Sequence, residues 1–150
     1  MKIRDAISSR KPATNNTNTS SSVSSSSAQT RFSTDMHHYE KIVDDYEREI
    51  DVLRTEIESI GDKLEKEPSI TNFKQFRDIL SRLFTRISTE AYRLEKCGGT
   101  PQNPRYFEII TTINTEADKL YNLIVKEQRN NMAITASVIG IKGLVVDLIT

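Results

Sequence analysis

The amino-acid sequence predicts an all-α fold: an antiparallel bundle of three long helices, the third split or kinked to give four. Three observations predict it. Apolar residues recur at alternating steps of three and four over long stretches, the spacing that lines one face of a helix. The stretches are bounded by helix breakers, at Pro68, at Gly98-Gly99 and at the pair Pro101 and Pro104. The residues before them have a different composition and no such period.

From Ala13 to Thr30, fourteen of eighteen residues are Ser, Thr or Asn, and Val23 is the one sizeable aliphatic side chain. Such a segment cannot bury enough apolar surface to offset an ordering cost of roughly 1 to 2 kcal/mol per residue. Residues 1–34 are therefore expected to be a disordered tail and residues 35–150 a single helical domain. The tail carries Lys2, Arg4, Arg10, Lys11 and Arg31 against Asp5, a net of +4. It is read as a solvated leader, with a short docking peptide at Met1 to Ile7 or an export signal as alternatives.

The first helix is expected from about Asp35 to Lys66. Tyr39, Val43, Tyr46, Ile50, Leu53, Ile57, Ile60 and Leu64 share one stripe, and Pro68 forces the preceding residue out of the α region. Gly61 weakens its last turn. Burying eight such side chains contributes roughly 12 to 24 kcal/mol, whereas ordering some 32 residues costs on the order of 48. The stripe must therefore pack on neighbours. The same stepping also suits an intermolecular coiled coil, so a homo-oligomer stays open.

The second helix is expected after Thr71-Asn72, either of which can cap it. It carries Phe73, Phe76, Leu80, Leu83, Ile87, Ala91 and Leu94, widened by Ile79 and Phe84, and ends at Cys97-Gly98-Gly99, where a glycine can adopt the left-handed conformation. The third starts near Pro104 with Asn103 as a cap. Its stripe runs through Tyr106, Ile110, Ile113, Ala117, Leu120, Ile124, Glu127, Asn131, Ile134, Val138, Ile141, Val145 and Leu148. Glu127 and Asn131 put polar residues in this seam, where Arg129-Asn130-Asn131 also offers weak helix formers in its asparagines. Either the helix breaks or kinks near Asn130, or one helix of about 45 residues carries a polar layer; the predicted fold takes the break.

Charge excludes some function classes. The 150 residues hold 21 Lys plus Arg and 21 Asp plus Glu, a net charge of zero that favours neither a generic polyanion binder nor an acidic solvating chain. The first helix has eleven acidic and five basic residues, a net of −6, and the second has six basic and three acidic, a net of +3. Antiparallel neighbours would set these charges face to face. Arg82, Arg86 and Arg93 on one side of the second helix resemble a phosphate-contacting stripe, but neutralisation by the first helix is the simpler reading, and nucleic acid is disfavoured. No 18 consecutive apolar residues and no signal-peptide core occur, so no membrane partner and a cytoplasmic location are expected.

No residue pattern rises to a catalytic, cofactor or metal motif. His37 and His38 point about 100 degrees apart on a helix and cannot chelate one ion as an i, i+4 pair would. Cys97 has no histidine near it in sequence to activate it. Gly98-Gly99-Thr100-Pro101 lacks the lysine of a phosphate loop. The carboxylates Asp44, Asp45, Glu47 and Glu49 alternate with basic residues on an outer face, whereas catalytic carboxylates need burial. No cofactor is called for, and the chain is expected not to be an enzyme.

The C-terminal run Val138 to Thr150, which contains Ile139-Gly140-Ile141-Lys142-Gly143-Leu144, resembles the ending of the YaaR family of bacterial proteins. The resemblance extends through Glu127-Gln128 and, more weakly, through Phe73 to Ile87. It implies a compact helical bundle and bacterial origin, and it carries over no catalytic residue. The acidic first helix and the Ser-rich leader depart from the family pattern.

Gly140 and Gly143 each cost a helix about 0.5 to 1 kcal/mol relative to alanine. They mark either close helix packing inside the bundle or a surface groove where a partner's backbone approaches, with Lys142 at its edge. Gly140, Lys142 and Gly143 are accordingly the candidate partner-interface residues. The expected function is a non-catalytic interaction or regulatory role with an unidentified protein partner; the alternative is a chaperone or client of bacterial flagellar-type export.

Overall fold

The computed structural model describes residues 11–126 and 130–150, with side chains from Gln29 onward. Among the described residues the fold is all-α, with helices α1 (Lys11–Lys66), α2 (Ile70–Lys96), α3 (Tyr106–Val125) and α4 (Asn131–Ile149). The chain divides into two units, one up to Tyr46 and one from Glu47 to Thr150.

In the first unit α1 starts at Lys11 rather than Asp35, so the expected edge at residue 34 does not coincide with a helix end. Residues 1–10 of the expected tail lie outside the described residues. Residues 29–41 are all exposed, and Val43 and Tyr46 are half-buried. A helix can extend this way because elongation from an existing turn adds one hydrogen bond per residue fixed, without the cost of a new nucleus.

In the second unit the stripe of α1 enters a core. Ile50, Ile57 and Leu64 are buried, while Leu53 and Ile60, the alternate members, are half-buried. The helix stops two residues before Pro68, as expected. α2 starts earlier than expected: Ser69, not Thr71 or Asn72, is its cap, accepting a hydrogen bond from the Asn72 backbone at 3.1 Å. Asn72 instead donates its side-chain amide to the Glu67 carbonyl at 2.9 Å, tying the turn from the other side. Ser69 wins because the extended backbone around Pro68 leaves it as the last non-helical residue with a hydroxyl.

The far end of α2 closes as predicted. Gly98 has φ +78°, its N–H bonds to the Glu95 carbonyl at 3.1 Å, and the Gly99 N–H bonds to the Leu94 carbonyl at 2.8 Å. These two bonds satisfy carbonyls that a helix end leaves unpaired. Asn103 organises the next turn without standing at the N-cap itself: its Oδ1 accepts from the Arg105 backbone at 3.0 Å, and its Nδ2 donates to the Asp147 carbonyl at 3.0 Å. That second bond joins the start of α3 to the end of α4, which makes the pair antiparallel.

The long third stripe breaks. α3 ends at Val125, Lys126 is extended at φ −61° and ψ 138°, and Asn130 caps α4 by accepting from the Ala133 backbone at 3.2 Å. Asn131 is exposed at the start of α4 instead of sitting in the seam; Glu127 lies outside the described residues. The apolar phase survives the break, since Tyr106, Ile113, Ala117, Leu120, Ile124, Ile134, Val138, Ile141, Val145 and Leu148 are all buried. Arg77 of α2 meets Asp118 of α3 at 3.0 Å, and the Phe73 and Tyr121 rings lie 5.5 Å apart, so α2 and α3 also run antiparallel.

Candidate interaction surface

α4 carries the candidate residues, and its 3.6-residue period deals them to two faces. The inner face is Ile134, Val138, Ile141, Val145 and Leu148, none more than 3% exposed. Turning about 100 degrees per residue from Ile141 swings Lys142 to the flank and carries Gly143 to the opposite side. Met132, Ala136, Ile139, Gly140, Gly143 and Val146 are therefore the outer face, and all are exposed. Met132 is 84% exposed and Ile139 57%. By length and composition alone α4 is apolar enough to cross a membrane; its apolar content divides between the bundle core and this outer stripe.

Both glycines lie on the exposed side of α4. A methyl group built on Gly140 or on Gly143 would meet no heavy atom within 4 Å outside its own helix backbone. Close packing inside the bundle is thus not why they are there. The seam read from the sequence already placed Gly143 across the helix from Ile141, a signal that the low helix propensity of glycine masked.

Lys142 stands apart from its two neighbours. Its side chain is 21% exposed and its Nζ reaches Asp62 at 2.7 Å and Glu65 at 3.3 Å on α1. Burial alone would lower its pKa, but the hydrogen bonds that it donates to the Asp62 and Glu65 carboxylates outweigh that and raise it. The Lys142 hydrogen bond, followed by its charge, lowers the pKa of Asp62. The tie passes close over Gly61: a Cβ there would lie 2.4 Å from Lys142 Cε, so the lysine stem would have to shift. The lysine stem crosses α1 over this missing side chain, so Lys142 joins two helices rather than standing on the outer face. With Lys142 turned away, Asp147 is the one charge on the exposed side of α4.

The basic stripe of α2 is largely paired. Arg86 bonds Glu49 of α1 and lies 3.7 Å from Glu90, while Arg93 Nε donates to Glu90 at 3.2 Å. Glu90 is 7% exposed, the one buried charged residue among those described, and the two arginines flanking it on α2 compensate its burial. The sequence held this signal in the i−4 and i+3 spacing of Arg86 and Arg93 from Glu90. Arg82 is exposed and, with Arg48, Val52 and Leu53, edges an open groove between α1 and α2.

His37 Nδ1 lies 3.6 Å from Glu40 with both side chains mostly exposed, and Cys97 is exposed at the end of α2. Among the described residues no three His, Cys, Asp or Glu side chains gather where a metal ion could sit.

Comparison with curated proteins returned no match. The fold is similar to the crystal structure of an uncharacterised protein from Bacillus halodurans, with a TM-score of 0.61 at 15% identity over 71% of this chain and 89% of that one. The likeness is one of fold. The model of a family described as protein of unknown function, DUF327, matches residues 5–149. A match over nearly the whole length places the chain in that family, which is the YaaR-like family that its C-terminal motif resembles.

Proposed function

We propose that this chain is a non-catalytic helical interaction protein whose partner docks on the outer face of α4. The observation that supports this most is the open space over Gly140 and Gly143, on a helix face that is otherwise apolar and exposed. Each glycine destabilises α4 by about 0.5 to 1 kcal/mol, and no heavy atom among the described residues, beyond the helix's own backbone, comes within 4 Å of either open position to offset that loss. A partner backbone seated against the bare stripe would. Large apolar side chains at Met132, Ile139 and Val146 border the stripe and would supply the buried area such a contact needs.

The test is complementation of a deletion strain of the source organism, read with thermal melts of the purified variants. Ile139→Glu combined with Gly143→Arg should leave the melt within a few degrees of the parent, because both side chains point outward, and should fail to restore the phenotype. A fully functional double variant would overturn the α4 assignment. The non-catalytic part has its own test: a folded His37→Ala, His38→Ala, Cys97→Ala protein should complement, and its failure would overturn that reading.

A further inference from the structure

The apolar stripe of α1 does not start where the core does. Stepping back from Ile50 by four and three gives Tyr46, Val43, Tyr39, Met36 and Phe32, so the heptad phase runs unbroken to Phe32. Yet Phe32 is 68% exposed, Met36 46% and Tyr39 47%. This is a row of large, exposed apolar side chains at coiled-coil spacing on one helix.

The flanks of the row say what kind of helix would cover it. With Met36 and Val43 at a and Phe32, Tyr39 and Tyr46 at d, the flanking g and e positions include Asp35 and Glu40. From Asp35 to Tyr46 the segment holds Asp35, Glu40, Asp44 and Asp45 against Lys41, a net of −3 with histidines neutral. A second copy is a poor match. Parallel pairing would set Asp35 of one chain beside Glu40 of the other, and antiparallel pairing would set like position beside like, so acidic flanks meet acidic flanks either way. An anionic lipid surface or nucleic acid is repelled by the same charges. The second unit supplies the precedent: there the same helix is met by α2, a basic amphipathic helix whose Arg86 bonds Glu49.

We infer that the Phe32 to Tyr46 face of α1 is a docking surface for a basic amphipathic helix of another protein, seated by its apolar stripe and selected by its lysines or arginines. This inference rests on residues of α1 alone and does not depend on the reading of α4. Affinity comes from burying the row, and selectivity from the acidic flanks.

The test uses the full-length protein and two synthetic three-heptad helices with leucine at a and d, one with lysine at e and g and the other with glutamate. Titration calorimetry should show the lysine helix binding about tenfold or more tightly than the glutamate helix, with the difference shrinking as salt is raised. Phe32→Ser with Met36→Ser should weaken the lysine helix at least about tenfold while leaving the thermal melt unchanged. Asp35→Lys with Glu40→Lys should shift preference to the glutamate helix. Equal binding of both helices, or binding indifferent to Phe32→Ser with Met36→Ser, would overturn the inference. So would a dimer in sedimentation that this pair of substitutions dissolves, since a second copy would then occupy the face.

Discussion

Replacing Gly140 and Gly143 with alanine should stabilise this protein. In a helix interior alanine is favoured over glycine by about 0.5 to 1 kcal/mol, because glycine loses more backbone freedom on folding. At these two positions no opposing term arises, since a new Cβ meets no heavy atom within 4 Å beyond its own helix backbone. The two changes together are worth about 1 to 2 kcal/mol. For the Glu47–Thr150 unit that corresponds to a rise of roughly 4 to 8 °C in Tm at about 4 °C per kcal/mol. The assay is a far-UV circular dichroism melt, checked by urea titration for an unchanged slope, so that a shifted midpoint reports stability. Had the glycines been close-packing sites, the methyl groups would overpack the bundle at about 1 to 3 kcal/mol each and the melt would fall. The two accounts differ in sign, so a lower Tm for the double variant would refute the outward placement.

Replacing Lys142 with methionine removes a tie between α4 and α1, and the small resulting loss should depend on pH. The Asp62 pKa is lowered in the fold, so its contribution is present above the ordinary carboxylate range and lost as pH falls through the folded value; the raised Lys142 pKa places the other limit above the ordinary lysine range. Melts of parent and variant should converge in strong acid, and a gap that widens there would contradict the assignment. Gly61→Ala should gain about 0.5 to 1 kcal/mol of helix propensity in the Lys142→Met background, and less in the parent, where the methyl displaces the lysine stem; strict additivity in this cycle would separate the two residues. Cutting the chain before Asn131 removes five core side chains of α4 worth roughly 8 to 15 kcal/mol, as much as a whole domain's stability, so cooperative urea unfolding should vanish. Deleting residues 1–34 should lower the Tm by less than about 5 °C, on the order of 1 kcal/mol for a domain of this size, because residues 29–34 are exposed; a larger drop means the leader contributes to the core.

Backbone geometry alone settled which side of each helix turns inward. A period of 3.6 residues deals side chains to faces wherever a helix forms, so Phe73, Phe76, Leu80, Leu83 and Ile87 were legible as a core face before any neighbour was known. The stops were equally local: Pro68 lacks the N–H a helix needs, and Gly98 tolerates φ +78° without a Cβ clash. The break near Asn130 was legible too, because Glu127 and Asn131 interrupt an apolar phase that continues on either side. Tertiary structure decided the rest, since it depends on which surfaces neighbouring helices cover. Glycine weakens a helix whether a second helix lies against it or nothing does, so only the arrangement of the bundle could show open space over Gly140 and Gly143. A lysine between two glycines shares their place in the sequence, and only the packing of α4 near α1 shows its stem passing over Gly61 to Asp62 and Glu65. And the unbroken stripe of α1 is buried at Ile50, Ile57 and Leu64 but exposed at Phe32, Met36 and Tyr39, because periodicity records which side is apolar and only packing determines where that side is buried.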